Sequence, residues 1–288
     1  MKIVIDETNE KTRADVLLAK AATEYSRAAL GKLFDMGLVT VGDQAIKRGD
    51  KPKAGSVIRV DLTPIQQEPD VIPLPILYED DDVLVIDKPA GIISHSRGRY
   101  WQEASVASFI RAKTKDLKGE RAGIVHRLDR ATSGVMIAAK NEKSQQYLQK
   151  QFADKKVQKE YIAIVSGEID PPEAHIFVSL MRNPKKPQLF MPHKDGKYAE
   201  TTYKVLQTAN NLSLVKLLPF TGRTHQLRVH MQYIKHPIIG DVLYGDPDTK
   251  EERMYLHAQK LSLSLPNGQN KTFEAPLPEI FNKKIGNE

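Results

Sequence analysis

A polar turn that leads directly into an apolar run constrains this chain more than any other feature. Within residues 123–140, which read GIVHRLDRATSGVMIAAK, Asp129 lies between Arg127 and Arg130. Residues 135–139 read VMIAA, a continuous apolar run that is typical of a buried strand. Nearby positive charges favour the ionised form of a carboxylate, so Asp129 is predicted to be charged. An ionised Asp in a turn can be a nucleophile, a metal ligand or an ion-pair partner, and the charge pattern alone favours the ion pair.

Residues 126–134 carry a longer and more specific motif. They read HRLDRATSG and resemble the HRLDxxTSG signature of the RluA-type RNA pseudouridine synthases, with every fixed position matched. The resemblance implies that Asp129 is the nucleophile that isomerises uridine to pseudouridine. It also implies that Arg127 occupies the place vacated by the flipped base, and that His126 and Thr132 contact the substrate. Attack by Asp129 at uracil C6 and attack at ribose C1′ both remain open.

A second motif lies far along the chain. Residues 218–230 read LPFTGRTHQLRVH and resemble the GRTHQIRxH block of the same family, with Leu227 in place of the commoner Ile. The pattern predicts a helix with Thr224 as its N-cap. The resemblance implies that Arg223 pairs with Asp129, a role that suits the forked guanidinium group. Leu227 is expected to close the apolar side of the pocket.

Two shorter matches support the same assignment. Residues 88–91, KPAG, resemble the KPxG motif of the family, and Tyr161 matches the tyrosine of its K-x-Y motif. The resemblance implies that the Tyr161 ring packs against the flipped uracil, and its phenol could take part in moving a proton. Without the resemblance, a strand tyrosine is more simply a packing residue.

The first 62 residues read as a separate small module. Helical spacing over 13–22, a candidate N-cap at Ser26 and a Gly42 turn predict two helices followed by a hairpin. This arrangement resembles the S4 RNA-binding module, which implies that a basic face contacts RNA phosphates. The residues expected on that face are Arg27, Lys32, Lys47, Arg48, Lys51 and Lys53. The alternative is that they are ordinary solvated charges, because acidic residues are interspersed among them.

The predicted organisation is an S4-like module at 1–62, a linker at 63–76 and a catalytic domain at 77–282. The linker prediction depends on the prolines and polar residues that follow position 62. The fold class is predicted to be α+β. The catalytic domain should be a mixed, mostly antiparallel sheet with the pseudouridine synthase fold, preceded by a small α/β module. The alternating residues 261–265, LSLSL, predict a strand that closes this sheet.

Composition limits the remaining possibilities. The formal charge of +7 suits a polyanionic partner, and the absence of cysteine excludes disulfides and thiolate metal sites. His225 and His230 lie five positions apart, a spacing that does not bring them to one ion on a helix or a strand. We therefore expect no metal and no cofactor. No secretory signal or membrane span is evident, so a cytoplasmic protein, acting as a monomer on RNA, is expected.

Two alternatives concern the function itself. A catalytically silent RNA-binding or ribosome-assembly factor could keep the fold, and a hydrolase could use Asp129 differently. The intact signatures favour the synthase over both. The S4-like module favours ribosomal RNA over transfer RNA as the substrate, by analogy only.

Overall fold

The computed structural model describes residues 1–66, 71–95, 103–114, 117 and 123–286. The chain divides into two compact units, with a boundary between residues 70 and 71 and with Glu103 grouped with the first unit. That boundary falls within the predicted linker at 63–76, of which residues 67–70 lie outside the described residues. None of the described helices is both long and apolar enough to cross a bilayer.

The first unit combines three helices with a four-stranded antiparallel sheet. Its sheet order is β1-β4-β2-β3, so the first strand lies at one edge beside β4. The elements are β1 (Lys2–Val4), α1 (Ala14–Ala21), α2 (Arg27–Asp35), β2 (Val39–Val41), β3 (Gln44–Ala45), β4 (Val57–Val60) and α3 (Thr63–Gln66). Ser26 caps α2 by accepting the Ala29 amide at 3.2 Å, as its position predicts. Leu30, Leu33 and Phe34 then turn one helix face into the core. Strand β1 was not predicted.

The second unit is built on one large sheet. Its strands are β5 (Ile76–Glu79), β6 (Val83–Lys88), β7 (Ser133–Ala139), β8 (Gln158–Ser166), β9 (Glu173–Phe177), β12 (Glu200–Ala209), β13 (Leu212–Pro219), β14 (Leu256–Ser264) and β15 (Asn270–Glu274). A separate pair is formed by β10 (Leu180–Arg182) and β11 (Phe190–Pro192). The helices are α4 (Val106–Arg111), α5 (Glu142–Ala153), α6 (Gln226–Tyr233) and α7 (Glu279–Ile285).

The strand order of the large sheet is β5-β6-β7-β14-β8-β13-β12-β9, and β15 pairs with β14. Among the described strands, β7 and β14 form the parallel pair, and the other pairings are antiparallel. The prediction of a mixed, mostly antiparallel sheet in an α+β fold is therefore confirmed. The strand predicted over 261–265 is present as part of β14, but its predicted position at the end of the sheet is wrong. Strand β14 lies in the interior of the sheet, between β7 and β8. Its residues pair with partners that precede it by about a hundred positions, which local alternation cannot reveal.

Strand β7 is buried on both faces, which explains its continuous apolar sequence. Met136 and Ala138 join the core that contains α4, while Val135 and Ile137 join the core that contains Leu148 of α5. Asn141 caps α5 by accepting the Ser144 amide at 2.9 Å. The turn that carries Asp129 is thus attached to a strand in which every residue is buried.

Candidate active site

The turn before β7 is fastened to the segment that follows β6. Ser94 Oγ donates to the Leu128 carbonyl at 2.7 Å and accepts the Leu128 amide at 3.1 Å. The Gly91 amide donates to the Arg130 carbonyl at 2.8 Å. Leu128 itself is buried in the core beneath the turn. These contacts hold the backbone on both sides of Asp129, whose side chain retains 19% exposure.

Lys88, in the KPAG motif, lies fully buried under the same turn. Its ammonium donates to the carbonyls of Pro89 and Ile92 at 2.8 Å and reaches the carbonyl of Arg130 at 3.3 Å. Burial lowers the pKa of Lys88 to about 7, and the charge of Asp129 opposes that shift. A buried amine is tolerated here because its donors all meet backbone acceptors.

The downstream end of the turn is fixed by close backbone packing. Gly134 has a φ of +113°, and a Cβ at this position would lie 2.1 Å from the carbonyl oxygen of Ala258. Only glycine fits, because β7 and β14 approach each other at this point. The adjacent Ser133 hydroxyl lies 2.8 Å from His257 Nδ1, in the buried interior. The Asp129 turn is therefore anchored at its start, underneath and at its end.

The guanidinium beside Asp129 belongs to Arg228, and the predicted pairing with Arg223 is wrong. Arg228 Nη1 lies 3.4 Å from Asp129 Oδ2. Arg223 is exposed, and its Nε donates to the carbonyl of Tyr198 at 2.9 Å. Both arginines line the same cavity.

The error has a local cause, which is the start of α6. The helix begins at Gln226, after His225 in a left-handed conformation (φ 57°), and Thr224 does not cap it. The buried Gln226 side chain accepts the Arg223 amide at 2.9 Å and the Thr221 hydroxyl at 2.7 Å. This extra turn leaves Arg223 at the surface and places Arg228 on the inward side of the first helical turn.

Arg228 is held by a second carboxylate. Its Nε and Nη2 donate to the two oxygens of Asp241, each at 2.7 Å, and the Asp241 side chain is completely buried. Burial disfavours the charge of Arg228, but the hydrogen bonds and charge of Asp241 keep its pKa above the ordinary value. Arg228 is thus a fixed cation, aimed at Asp129 by a partner that does not line the cavity.

His225 faces Asp129 from the other side. Its Nε2 lies 3.9 Å from Asp129 Oδ1, and its Nδ1 lies 2.8 Å from the hydroxyl of Tyr244. That hydroxyl accepts the Phe190 amide at 2.7 Å, so its own proton is available for His225 Nδ1. Donation from the Tyr244 hydroxyl to Nδ1 corresponds to the tautomer with its ring proton on Nε2, on the side of Asp129. Burial lowers the pKa of His225, although the charge of Asp129 opposes the shift.

These groups surround a cavity of about 130 Å³ within the second unit. Leu227 and Leu256 supply apolar wall, while Lys159 and Tyr161 enter from β8. Burial, reinforced by the charge of Asp129, raises the pKa of Tyr161 well above its ordinary value, so the phenol stays protonated. Burial lowers the pKa of Lys159 to about 8, and its ammonium donates to the Thr221 carbonyl at 3.2 Å. The cavity therefore joins a carboxylate, cations and a neutral phenol to an apolar wall.

The residues predicted from the first motif divide into two groups. Arg127 and Thr132 line the cavity with Asp129, and Arg127 is exposed at its rim. The prediction that His126 contacts the substrate is wrong, since its ring lies outside the described lining and stacks on Phe152 at 4.6 Å. His126 Nε2 accepts the Ile137 amide at 3.0 Å, and burial lowers the pKa of His126 to about 3. In this structure His126 therefore stabilises β7 by accepting a hydrogen bond from its backbone.

The basic residues predicted to bind RNA in the first unit are all exposed. They are Arg27, Lys32, Lys47, Arg48, Lys51 and Lys53. Arg48 forms an ion pair with Asp35 and lies across Gly31, where an added Cβ would be 2.9 Å from its guanidinium carbon. Lys47, Lys51 and Lys53 lie in the loop between β3 and β4, and Arg27 and Lys32 lie on α2. RNA binding by this face stays a prediction.

Sequence reasoning missed four residues of the site, namely Lys159, His225, Arg228 and Asp241. Lys159, His225 and Arg228 lie inside the quoted motifs, but the sequence gives no means of deciding which residues of a motif face the cavity. Asp241 carried no such signal, because its burial and its pairing with Arg228 depend on the tertiary fold. Across the described residues, no group of three or more histidine, aspartate or glutamate side chains is arranged to hold a metal ion.

Residues 82–233 match the family described as RNA pseudouridylate synthase, and the chain belongs to that family. A relative from Neisseria meningitidis serogroup A, named ribosomal large subunit pseudouridine synthase D, is 36% identical over 285 residues. That alignment covers 93% of this chain and 76% of the relative. A relative of the same name from Borreliella burgdorferi is 41% identical over 222 residues, covering 74% of this chain and 68% of the relative.

Solved structures agree with this assignment. Human RNA pseudouridylate synthase domain containing 1 superposes with a TM-score of 0.62 and 26% identity. The superposition covers 74% of this chain and 87% of the human chain. The predicted pseudouridine synthase fold and class of enzyme are therefore confirmed.

Proposed function

We propose that this enzyme isomerises uridines of large-subunit ribosomal RNA to pseudouridine, with Asp129 as the nucleophile. The observation that carries the proposal is the contact of Asp129 with the Arg228–Asp241 pair inside a partly apolar cavity. Relatives named for the large ribosomal subunit support the choice of RNA. The expectation of a monomer that acts in the cytoplasm belongs to the same proposal.

The reaction rearranges bonds without adding or removing atoms from the RNA. The bond between ribose C1′ and uracil N1 breaks, the base turns, and a bond forms between C1′ and C5. The hydrogen on C5 leaves as a proton, and N1 gains one. Asp129 assists by attacking either uracil C6 or ribose C1′, and both routes need an ionised, oriented carboxylate. Arg228, at 3.4 Å from Oδ2, and the His225 ring, at 3.9 Å from Oδ1, flank the Asp129 carboxylate and favour one orientation of it.

The target base must leave its stack before it can enter the cavity, at a cost of a few kcal/mol in a duplex. Arg127, exposed at the rim, is proposed to occupy the vacated place with its planar cation. Thr132 and Leu227 then contact the flipped nucleotide, and the Tyr161 ring packs on the uracil face. The protonated Tyr161 phenol is suited to donate a hydrogen bond or to exchange a proton with the base.

The decisive experiment replaces Asp129 with Asn and compares it with Asp248→Asn, an exposed carboxylate outside the cavity. We expect Asp129→Asn to abolish isomerisation of an unmodified large-subunit RNA transcript while RNA binding largely persists. Isomerisation is measured by carbodiimide mapping and by loss of a C5 tritium label, and product mass excludes hydrolysis. Turnover by Asp129→Asn near the parental rate would disprove the assignment of Asp129 as the nucleophile. Absence of turnover by the parental protein would favour a silent RNA-binding factor.

The first unit is proposed to bind RNA phosphates through its exposed basic face. Replacing Lys47, Lys51 and Lys53 together with Gln should weaken transcript binding and flatten its dependence on salt. The slope of log K against log salt is negative, and each lost phosphate contact should make it less steep by about 0.7 to 0.9. Lys260→Gln, which removes a lysine of the second unit that pairs with Glu274, provides the control. An unchanged slope in the triple variant would contradict this role.

A further inference from the structure

Two large aromatic rings are exposed immediately beside the cavity. Phe220 follows the last residue of β13 and is 51% exposed, and Tyr198 precedes β12 and is 46% exposed. Folding leaves such rings half uncovered at a cost, because each could bury a large apolar area. Two of them next to a candidate active site therefore suggest a ligand surface.

A cation accompanies both rings. The ammonium of Lys155, in the turn after α5, lies 4.6 Å from the ring centroid of Phe220 and 5.8 Å from that of Tyr198. Lys155 has a φ of 58° and is exposed. A cation at this distance from an aromatic face is attracted to it, so the turn and the two rings form one surface. We call Lys155, Tyr198 and Phe220 the aromatic ledge.

The aromatic ledge is continuous with the cavity wall. Pro219 and Thr221, the chain neighbours of Phe220, both line the cavity. Arg223, which also lines it, donates from Nε to the carbonyl of Tyr198 at 2.9 Å. An RNA strand that delivers one base into the cavity brings its neighbouring nucleotides close to the cavity rim, where this surface lies. This argument and the proposal that follows rest on the proposed function.

We propose that the aromatic ledge is a stacking subsite for a nucleotide that neighbours the target uridine in an unpaired or locally opened strand. The exposed ring of Phe220 receives the base, since a π-face stacks on any of the four bases. Lys155 and Arg223 face the phosphates. The Tyr198 hydroxyl donates to Glu200 Oε2 at 2.7 Å, so the carboxylate disfavours a phosphate at that edge. The phosphate path therefore follows the two cations.

The ring is tested by substitutions that separate stacking from apolar contact. We expect Phe220→Ala and Phe220→Leu to weaken the binding of a short single-stranded oligouridylate by about fivefold or more, while Phe220→Trp retains it. On the unmodified large-subunit transcript, the first two variants should raise KM with little change in kcat. Tyr147→Ala, which removes a 38% exposed ring on α5, is the matched control.

The cation is tested by its salt dependence. Lys155→Gln should reduce the slope of log K against log salt by about 0.7 for the oligouridylate, whereas Phe220→Ala should shift affinity without changing the slope. Phe220→Ala or Phe220→Leu binding like the parental protein would overturn the subsite. Thermal unfolding checks each variant, and Phe220→Leu keeps the test valid if the alanine variant unfolds.

The design separates two possible failures. Oligouridylate binding reports on the aromatic ledge even if the transcript is never isomerised. A parental protein that binds through the ledge but leaves the transcript unmodified would refute the proposed function alone. A parental protein that isomerises the transcript, with Phe220 variants that match it in KM and affinity, would refute the ledge alone.

Discussion

Replacing Arg228 with Gln should lower both the free energy of unfolding and the rate of isomerisation. Replacing Arg223 with Gln should have a much smaller effect on each. The Asp241 side chain is completely buried, and Arg228 supplies two of its hydrogen bonds at 2.7 Å. Removing the guanidinium leaves that charge uncompensated, which typically costs about 3–5 kcal/mol. Arg223 is exposed and donates to one backbone carbonyl, so its removal should alter stability by less than about 0.5 kcal/mol.

The catalytic effect of the same change follows from the loss of orientation at Asp129. Misplacement of a reacting group by about 1 Å can cost a factor of about 100 in rate, and we expect kcat to fall by that order. Arg228→Lys should recover part of the stability, because an ammonium keeps the charge but cannot bind both oxygens of Asp241 in the same way. Urea unfolding and single-turnover isomerisation of the RNA transcript measure the two effects separately.

A double variant makes the test stricter. Arg228→Gln combined with Asp241→Asn removes the buried charge along with its partner, so the free energy of unfolding should partly recover. The rate should stay low, because Asp129 still lacks its guanidinium. The reasoning is refuted if Arg223→Gln lowers kcat more than Arg228→Gln does, or if the double variant restores the parental rate.

Three further predictions concern other parts of the site. Tyr161→Phe should keep KM, since the ring remains, and should lower kcat by about 10²–10⁴ if the phenol transfers a proton, as pre-steady-state kinetics can measure. Gly134→Ala should lower the free energy of unfolding by at least about 1–3 kcal/mol, from strain at φ +113°, in urea titrations. Burial lowers the pKa of His126 to about 3 and that of His257 to about 4, below the unfolded value near 6.5. Below about pH 6.5 the unfolded chain binds more protons than the folded chain does. The free energy of unfolding should therefore be highest above about pH 6.5 and should fall towards pH 4 by up to about 1.4 kcal/mol per pH unit for each ring. A free energy of unfolding that does not change with pH would contradict the burial of these rings as neutral groups.

Sequence patterns were sufficient where the determining contacts are local. The continuous apolar run of β7, the Asn141 cap of α5 and the Ser26 cap of α2 each depend on neighbours within a few positions. The turn with Asp129 could be located for the same reason, because its charge pattern and the following strand are adjacent. The family resemblance then added the class of enzyme.

Patterns failed where the outcome depends on distant parts of the chain. The choice between Arg223 and Arg228 is made by the buried Gln226, whose side chain adds a turn before α6 and also donates to the Glu200 carbonyl. His126 lies beside Asp129 in the motif, yet its ring accepts a hydrogen bond from β7 and stacks on Phe152. A motif identifies a small set of candidate residues, but tertiary contacts decide which of them face the cavity.

The interior position of β14 has a consequence for how the enzyme is made. Strands β5 to β7 and strands β8, β13, β12 and β9 form two half-sheets that share no strand pairing until β14 lies between them. The downstream end of the Asp129 turn is held by the contact of Ser133 with His257, which lies 124 positions later in the chain. Long-range pairing of this kind slows folding. A growing polypeptide can therefore fix the end of the Asp129 turn only after residue 257 has been synthesised and β14 has paired with β7.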